Sequence, residues 1–156
     1  MGMFTAIDAS ASGLTAERLR MDVIANNIAN ANTTRTKNDQ PFKRSYVVFE
    51  PRALEKSPFA GFLAAEILEG AKKKEQKQPG TGVRAVGIKE DQSIGKLVYD
   101  PGHPDANADG YVMHSNVNIV QEMVDMITAS RAYEANVTAI NASKSMANQA
   151  LNISKS

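Results

Sequence analysis

The sequence contains no cysteine and no tryptophan. Disulfides, thiolate metal sites and cysteine nucleophiles are therefore excluded. No apolar run approaches the roughly 18 residues that a membrane-spanning helix needs, so we expect no membrane insertion. A net charge of +1 provides no global attraction to nucleic acid. Residues 1–8 lack a basic segment followed by an apolar core, so we expect no cleaved signal peptide.

Charge is also scarce at the two ends of the chain. Residues 33–114 carry 24 of the 35 charged side chains, and the segments 1–32 and 115–156 share the other 11. The same two ends hold ten of the twelve asparagines. A helix that faces water normally carries charge on its polar face. We therefore expect the ends to form helices that are covered by other protein.

Both ends show a seven-residue apolar repeat, which is typical of coiled-coil packing. In the N-terminal segment the repeat consists of Ile7, Leu14, Met21 and Ile28, with Ala11, Ile24 and Ala31 beside it. In the C-terminal segment it consists of Ile119, Met123, Met126, Tyr133, Val137, Ile140, Ala147 and Leu151, interrupted by Ser130 and Lys144. Asn118, with Gln121 three residues later, resembles a capping box and predicts the start of the second helix.

The repeats allow two arrangements of the terminal helices. They can form an antiparallel pair within one chain, packed on the middle segment, or they can contact helices of other subunits. The low charge and the alanines beside the C-terminal repeat favour intermolecular contacts. In either case we predict an α+β fold, with long terminal helices pairing as a coiled-coil-like layer. Its parts are assembly helices at 1–32 and 115–156 and a β-rich middle domain at 33–114.

Four short segments of the middle region are rich in β-branched and aromatic residues and are bounded by turn residues. They predict strands of one small, largely antiparallel sheet. They are SYVVFE (45–50), VRAVGIK (83–89), KLVYD (96–100) and YVMH (111–114). Residues 57–82 interrupt them with a predicted short helix at 59–70 and a lysine-rich stretch. That stretch contains glutamate and no interleaved aromatic residues, so it indicates a solvated loop, not a nucleic-acid site.

The segment DANADG (105–110) matches the opening of a calcium-binding loop, with Asp105, Asn107 and Asp109 as oxygen donors. The twelfth position, which needs a bidentate glutamate, is Asn116. The prolines of the preceding DPGHP also exclude the incoming helix of an EF-hand. We therefore interpret the segment as a connector built from Asx turns and predict no metal site.

The sequence also argues against catalysis. His103 lies among prolines and His114 ends a predicted strand. Asp100 and Asp105 flank His103, but proximity within a loop is weak evidence for an acid–base pair, and no metal-binding histidine motif is present. The chain has no G-x-S-x-G segment and no phosphate-binding glycine loop. We expect no catalytic residues and no cofactor.

Three segments resemble the bacterial flagellar basal-body rod protein family. Gly13, followed after nine residues by VIANNIANANT (23–33), is similar to its N-terminal signature, and Asn27, Ile28 and Asn30 match the motif. SRAYEANVTAINASKSMANQAL (130–151) is similar to its C-terminal helix. The connector 96–118 is most similar to that of the proximal-rod members.

The resemblance implies a structural subunit of the proximal rod, needed for motility and exported by the flagellar type III apparatus without a cleaved signal. It implies assembly with copies of itself and other rod proteins in a helical tube that crosses the periplasm. The asparagines would fix the register of the terminal helices, since an amide both donates and accepts. The alternatives are a calcium-modulated binding module using 105–110 and a coiled-coil adaptor.

Overall fold

The computed structural model describes residues 3–52 and 82–153. Two long helices, α1 (Met3–Ala29) and α2 (Ile119–Ile153), flank four strands: β1 (Ser45–Pro51), β2 (Val83–Glu90), β3 (Leu97–Tyr99) and β4 (Tyr111–Met113). The predicted α+β class is confirmed. The predicted helix at 59–70 and the lysine-rich stretch lie outside the described residues.

The two helices pack against each other within the chain in antiparallel orientation. Asn27 of α1 contacts Glu122 of α2. Gly13, 14 residues earlier on α1, faces Asn136, 14 residues later on α2. Of the two arrangements that the repeats allow, the intramolecular pair is therefore present. No described helix is apolar enough over sufficient length to cross a membrane.

The start of α2 follows the predicted cap only in part. The Asn118 Oδ1 accepts a hydrogen bond from the Val120 backbone N–H at 3.1 Å, which satisfies one free donor of the first turn. Gln121 does not return the bond as in a capping box, because its Nε2 donates to Asp125 Oδ1 at 3.5 Å. Asn118 is therefore a simple N-cap.

The strands form two separate antiparallel ladders, so the expectation of one sheet was wrong. β1 pairs with β2 from Ser45↔Glu90 to Pro51↔Val83, and the register shifts between Val48 and Phe49. β3 pairs with β4, with Val98 opposite Val112. The chain leaves the first ladder in an Asx turn, where Ser93 N–H donates to Asp91 Oδ1 at 2.9 Å. This turn redirects the chain before β3 begins.

Candidate assembly interface

A buried asparagine joins α1 to the start of β1. Asn27 is 0% exposed. Its Nδ2 donates to the Ser45 carbonyl oxygen at 2.7 Å, and its Oδ1 accepts from the Ser45 N–H at 2.9 Å. The amide thus pairs with both backbone groups of Ser45, as a neighbouring strand would. This contact sets where β1 begins relative to α1.

The same amide reaches the second helix through a buried acid. Asn27 Nδ2 also donates to Glu122 Oε2 at 2.9 Å, and Glu122 is 0% exposed. The other carboxylate oxygen accepts from Arg44 Nε at 2.6 Å, while Arg44 Nη2 lies 3.3 Å from Asp125 Oδ2. A buried carboxylate is tolerated only when it is paired and hydrogen-bonded, and both conditions hold here.

A second amide holds the backbone around Arg44. Asn116 Oδ1 accepts from the Arg44 N–H at 2.7 Å, and its Nδ2 donates to the carbonyl oxygens of Asp91 and Ser93, both at 3.2 Å. The Ser93 backbone and side chain also donate to Asp91 and hold the pKa of its carboxyl below the ordinary value. We call Asn27, Arg44, Asn116 and Glu122 the polar junction. It ties α1, α2 and the first ladder together.

The helix pair has an apolar outer face opposite this junction. Val120, Val124 and Ile127 lie on the side of α2 that points away from α1, and all are exposed. Met123 lies beside them and is 56% exposed. Glu122 and Asp125, the charged residues of this stretch, are turned towards Arg44. Between residues 120 and 127 the outer face therefore carries apolar side chains without charge, as at a protein–protein contact, and exposed Arg131 follows one turn later.

Comparisons with known proteins identify the same protein family at both ends of the chain. A family model described as flagella basal body rod protein matches residues 7–37, and one described as flagellar basal body rod FlgEFG protein C-terminal matches residues 108–153. The flagellar basal-body rod protein FlgC of Borreliella burgdorferi is 48% identical over 98% of both chains. That of Bacillus subtilis is 42% identical over 99% of this chain and 100% of its own. The chain belongs to the FlgC family of flagellar basal-body rod proteins.

Membership in the FlgC family confirms the resemblance seen in the sequence. The chain is a structural subunit of the proximal rod, and its location is the flagellar basal body. The similarity to the relatives covers nearly the whole chain, including the connector between the two matched ends. The polar junction and the apolar outer face are therefore features of a rod subunit.

In this FlgC relative, most residues predicted at the interface are buried or partly buried. Ile24 and Asn27 are buried. The partly buried ones are Ile7, Leu14, Met21, Ile28, Met126, Tyr133, Val137 and Ile140. Met21, Met126 and Tyr133 line one shallow pocket between the helices. Met123 and Leu151 are exposed at 56% and 62%.

Asn30 makes local contacts at the end of α1. Its Nδ2 donates to the Asn26 carbonyl oxygen and to Asn26 Oδ1, both at 2.9 Å, and its Oδ1 accepts from Thr33 Oγ1 at 3.3 Å. The side chain is a second donor to this carbonyl oxygen, which also accepts from the Asn30 backbone N–H at 3.1 Å. The two motif asparagines thus differ: Asn27 bridges elements, and Asn30 closes a helix.

Sequence reasoning missed the most closely packed line of the seam between α1 and α2. The buried residues of α2 are Glu122, Ala129 and Ser143, and Asn136 faces Gly13 at the intervening heptad position. A search for repeated apolar residues does not detect a line made of polar and small side chains. The seven-residue spacing of 122, 129, 136 and 143 is the signal that could have found it.

Polar groups of the loop 105–110 bond to its own backbone and to the segment that follows α1. Asn107 Oδ1 accepts from the backbone N–H groups of Asp109 at 3.1 Å and Tyr111 at 2.8 Å. Asp105 Oδ2 accepts from Thr34 Oγ1 at 2.8 Å, and Gly110 adopts φ 79° at the turn. Within residues 3–52 and 82–153, no cluster of three His, Asp or Glu side chains could hold a metal. The loop is an Asx-turn connector between β3 and β4.

Proposed function

We propose that the chain is a non-catalytic building block that assembles with copies of itself and with other rod proteins into a helical tube. The apolar outer face of α2 carries this proposal, because Val120 is 71% exposed and Ile127 is 53% exposed. Water-exposed helices of monomeric proteins rarely present such a surface without charge. Packing against a neighbouring subunit removes it from water.

The terminal segments 1–32 and 115–156 serve as the assembly elements, and 33–114 forms the middle domain between them. The polar junction supports this division because it fixes the angle between the helix pair and the first ladder. A rigid subunit loses less conformational entropy when it forms a contact with a neighbour. In a helical tube every subunit forms the same contacts, so the effect applies to each of them. Met123 and Leu151 contact neighbours directly, while the seam residues act by holding the pair together.

Export through the flagellar export apparatus delivers the subunit to the part of the rod that crosses the periplasm. Family membership supports this step, together with the nature of the seam. Its closest line consists of Glu122, Ala129, Asn136 and Ser143, and these side chains bury little apolar area. A pair held in this way loses less hydrophobic stabilisation on unfolding than one with a leucine seam.

The test is complementation of a strain that lacks the gene. Ile127→Glu adds a charge to the outer face without touching the seam, so the protein should fold normally and fail to enter basal bodies. Thr138→Glu is the matched control, since Thr138 lies on the same face outside the apolar patch and is exposed. Circular dichroism checks the fold, and immunoblots of isolated basal bodies measure incorporation.

Two results would contradict the proposal. Motile cells after deletion of the gene would favour the coiled-coil adaptor. Saturable heat on titration of the purified chain with millimolar calcium would favour the binding module.

A further inference from the structure

The connector between β3 and β4 contains the only Asp-Gly pair of the sequence, formed by Asp109 and Gly110. The backbone of the connector requires glycine at the second position. Gly110 has φ 79°, which residues with a side chain rarely adopt, and a Cβ there would lie 3.0 Å from Tyr99 Cε2 and 3.3 Å from Pro101 Cβ. The fold therefore places glycine directly after an exposed aspartate.

An Asp-Gly linkage is chemically reactive, because glycine has no Cβ to obstruct attack on the preceding side chain. The Gly110 backbone nitrogen forms a bond to Asp109 Cγ, and the hydroxyl of the protonated carboxyl leaves with the N–H proton as water. The product is a five-membered succinimide ring. When water opens this ring at the former backbone carbonyl, the chain continues through Cγ and the residue is isoaspartate. One water is released and one is taken up, so the reaction needs neither an oxidant nor an enzyme.

Three hydrogen bonds to Asn107 hold this linkage in the folded chain. Asn107 Oδ1 accepts from the backbone N–H groups of Asp109 at 3.1 Å and Tyr111 at 2.8 Å, and the Asn107 carbonyl oxygen accepts from the Gly110 N–H at 2.9 Å. The Gly110 carbonyl oxygen accepts from the Asp100 N–H at 2.9 Å. Ring closure requires the Gly110 nitrogen to turn towards Cγ in the direction of attack and to lose its proton. The bonds on both sides of Gly110 oppose this movement.

We propose that Asp109 is a site of spontaneous isoaspartate formation, which Asn107 suppresses in the folded chain. The modification forms when the turn opens, so its rate follows the population of the open turn. Isoaspartate adds one atom to the backbone before Tyr111, which pairs with Tyr99 across the second ladder. A chain that has reacted therefore cannot restore the same turn and the same register.

The first test compares isoaspartate formation in the folded and the unfolded chain. The purified full chain is incubated in mildly acidic buffer with and without urea. Liquid chromatography then separates the aspartate and isoaspartate forms of the proteolytic peptide that contains residues 109 and 110. The folded chain should react at least about tenfold more slowly, because opening the turn breaks three hydrogen bonds. Equal rates, or no isoaspartate at position 109 in urea, would overturn the proposal.

Substitutions at position 107 test the role of its side chain. Asn107→Ala removes the bonds to the N–H groups of Asp109 and Tyr111, so isoaspartate should form about fivefold faster in the folded variant. Asn107→Asp keeps a side-chain oxygen that accepts from both groups and should restore the slow rate. Thr34→Val is the matched control and should leave the rate unchanged. It removes a hydrogen bond to Asp105 of the same connector without touching Asn107.

Two results with these variants would show that Asn107 does not suppress the reaction. They are an unchanged rate in Asn107→Ala and an equal increase in Thr34→Val. Circular dichroism checks that each variant folds. Should Asn107→Ala not fold, hydrogen exchange of the Gly110 amide in the unsubstituted chain decides the matter. Slow exchange supports the proposal, and exchange as fast as in urea overturns it.

Discussion

Asn27 and Glu122, 95 residues apart in the chain, form a 2.9 Å hydrogen bond in which both side chains are fully buried. The amide and the carboxylate lie between the two long helices. Neither group has access to water in the folded chain. Their partners must therefore all come from the protein, and the contact is both a source of stability and a requirement of the fold.

We expect Asn27→Leu to destabilise the folded chain. Leucine has a higher helix propensity than asparagine, by a few tenths of a kcal/mol. It also leaves the Ser45 N–H and carbonyl and one Glu122 oxygen without a partner, at about 1–3 kcal/mol for each group. Urea unfolding measures the net loss. Asn141→Leu on the exposed side of α2 is the control, and equal midpoints for the two variants would contradict the role of Asn27.

Arg44 and Glu122 should show strong coupling in a double-mutant cycle. Arg44→Met leaves a buried carboxylate without its cation, which costs about 3 kcal/mol, at the low end because Arg44 is partly exposed. Adding Glu122→Gln removes the charge that needed pairing. The double variant should therefore be more stable than Arg44→Met alone, by urea unfolding. Additive losses would show that the pair does not interact.

We expect the effect of Gly13→Ala on stability to depend on the residue at position 136. A Cβ on Gly13 would lie 2.9 Å from Asn136 Nδ2, closer than unstrained contact allows. Alanine gains about 1 kcal/mol in a helix interior, and the clash offsets this gain. In an Asn136→Ala background the clash is absent, so Gly13→Ala should raise the thermal midpoint there and fail to do so in the unsubstituted chain. Equal shifts in both backgrounds would contradict close packing at this site.

Asp91 should contribute stability that is lost in acid. Hydrogen bonds from the backbone and side chain of Ser93 hold its pKa below the ordinary value of 3.8. The unfolded state therefore binds its proton first as the pH falls, so the contribution is complete above about pH 4 and disappears as the pH passes through the folded-state pKa. The stability difference between the unsubstituted chain and Asp91→Asn should shrink over that window. Asp22→Asn is the control, and parallel pH curves for Asp91→Asn and the unsubstituted chain would refute the role of Asp91.

We expect replacement of Asn107 in the connector 105–110 to lower the stability of the chain, and calcium to leave that stability unchanged. Asn107→Ala removes two hydrogen bonds to the backbone and should cost about 1 kcal/mol, whereas Asp109→Ala should be nearly neutral. Thermal midpoints of both variants should be the same in EDTA and in millimolar calcium. A calcium-dependent rise in the unsubstituted chain that Asp109→Ala abolishes would restore the calcium interpretation.

The helices and strands of residues 3–52 and 82–153 follow from local sequence patterns. The helix α2 begins at Ile119 after Asn118, as the cap predicts, and all four predicted strands lie within one or two residues of their observed bounds. Periodicity, capping and turn residues act over a few neighbouring positions, so they can be read from the chain without knowledge of its partners. The family signature around Asn27 and Asn30 could be recognised for the same reason.

The contacts between these elements could not be predicted from local sequence patterns. The apolar repeats predicted a helix contact but not that its closest line is Glu122, Ala129, Asn136 and Ser143. Nothing local distinguishes Asn27, which bridges α1 to Ser45 and Glu122, from Asn30, which closes its own helix. Whether a polar side chain can be buried depends on partners far along the chain, and Glu122 is 95 residues from Asn27. Such partners come together only when the chain has folded, because the hydrogen bonds that justify the burial are made across elements.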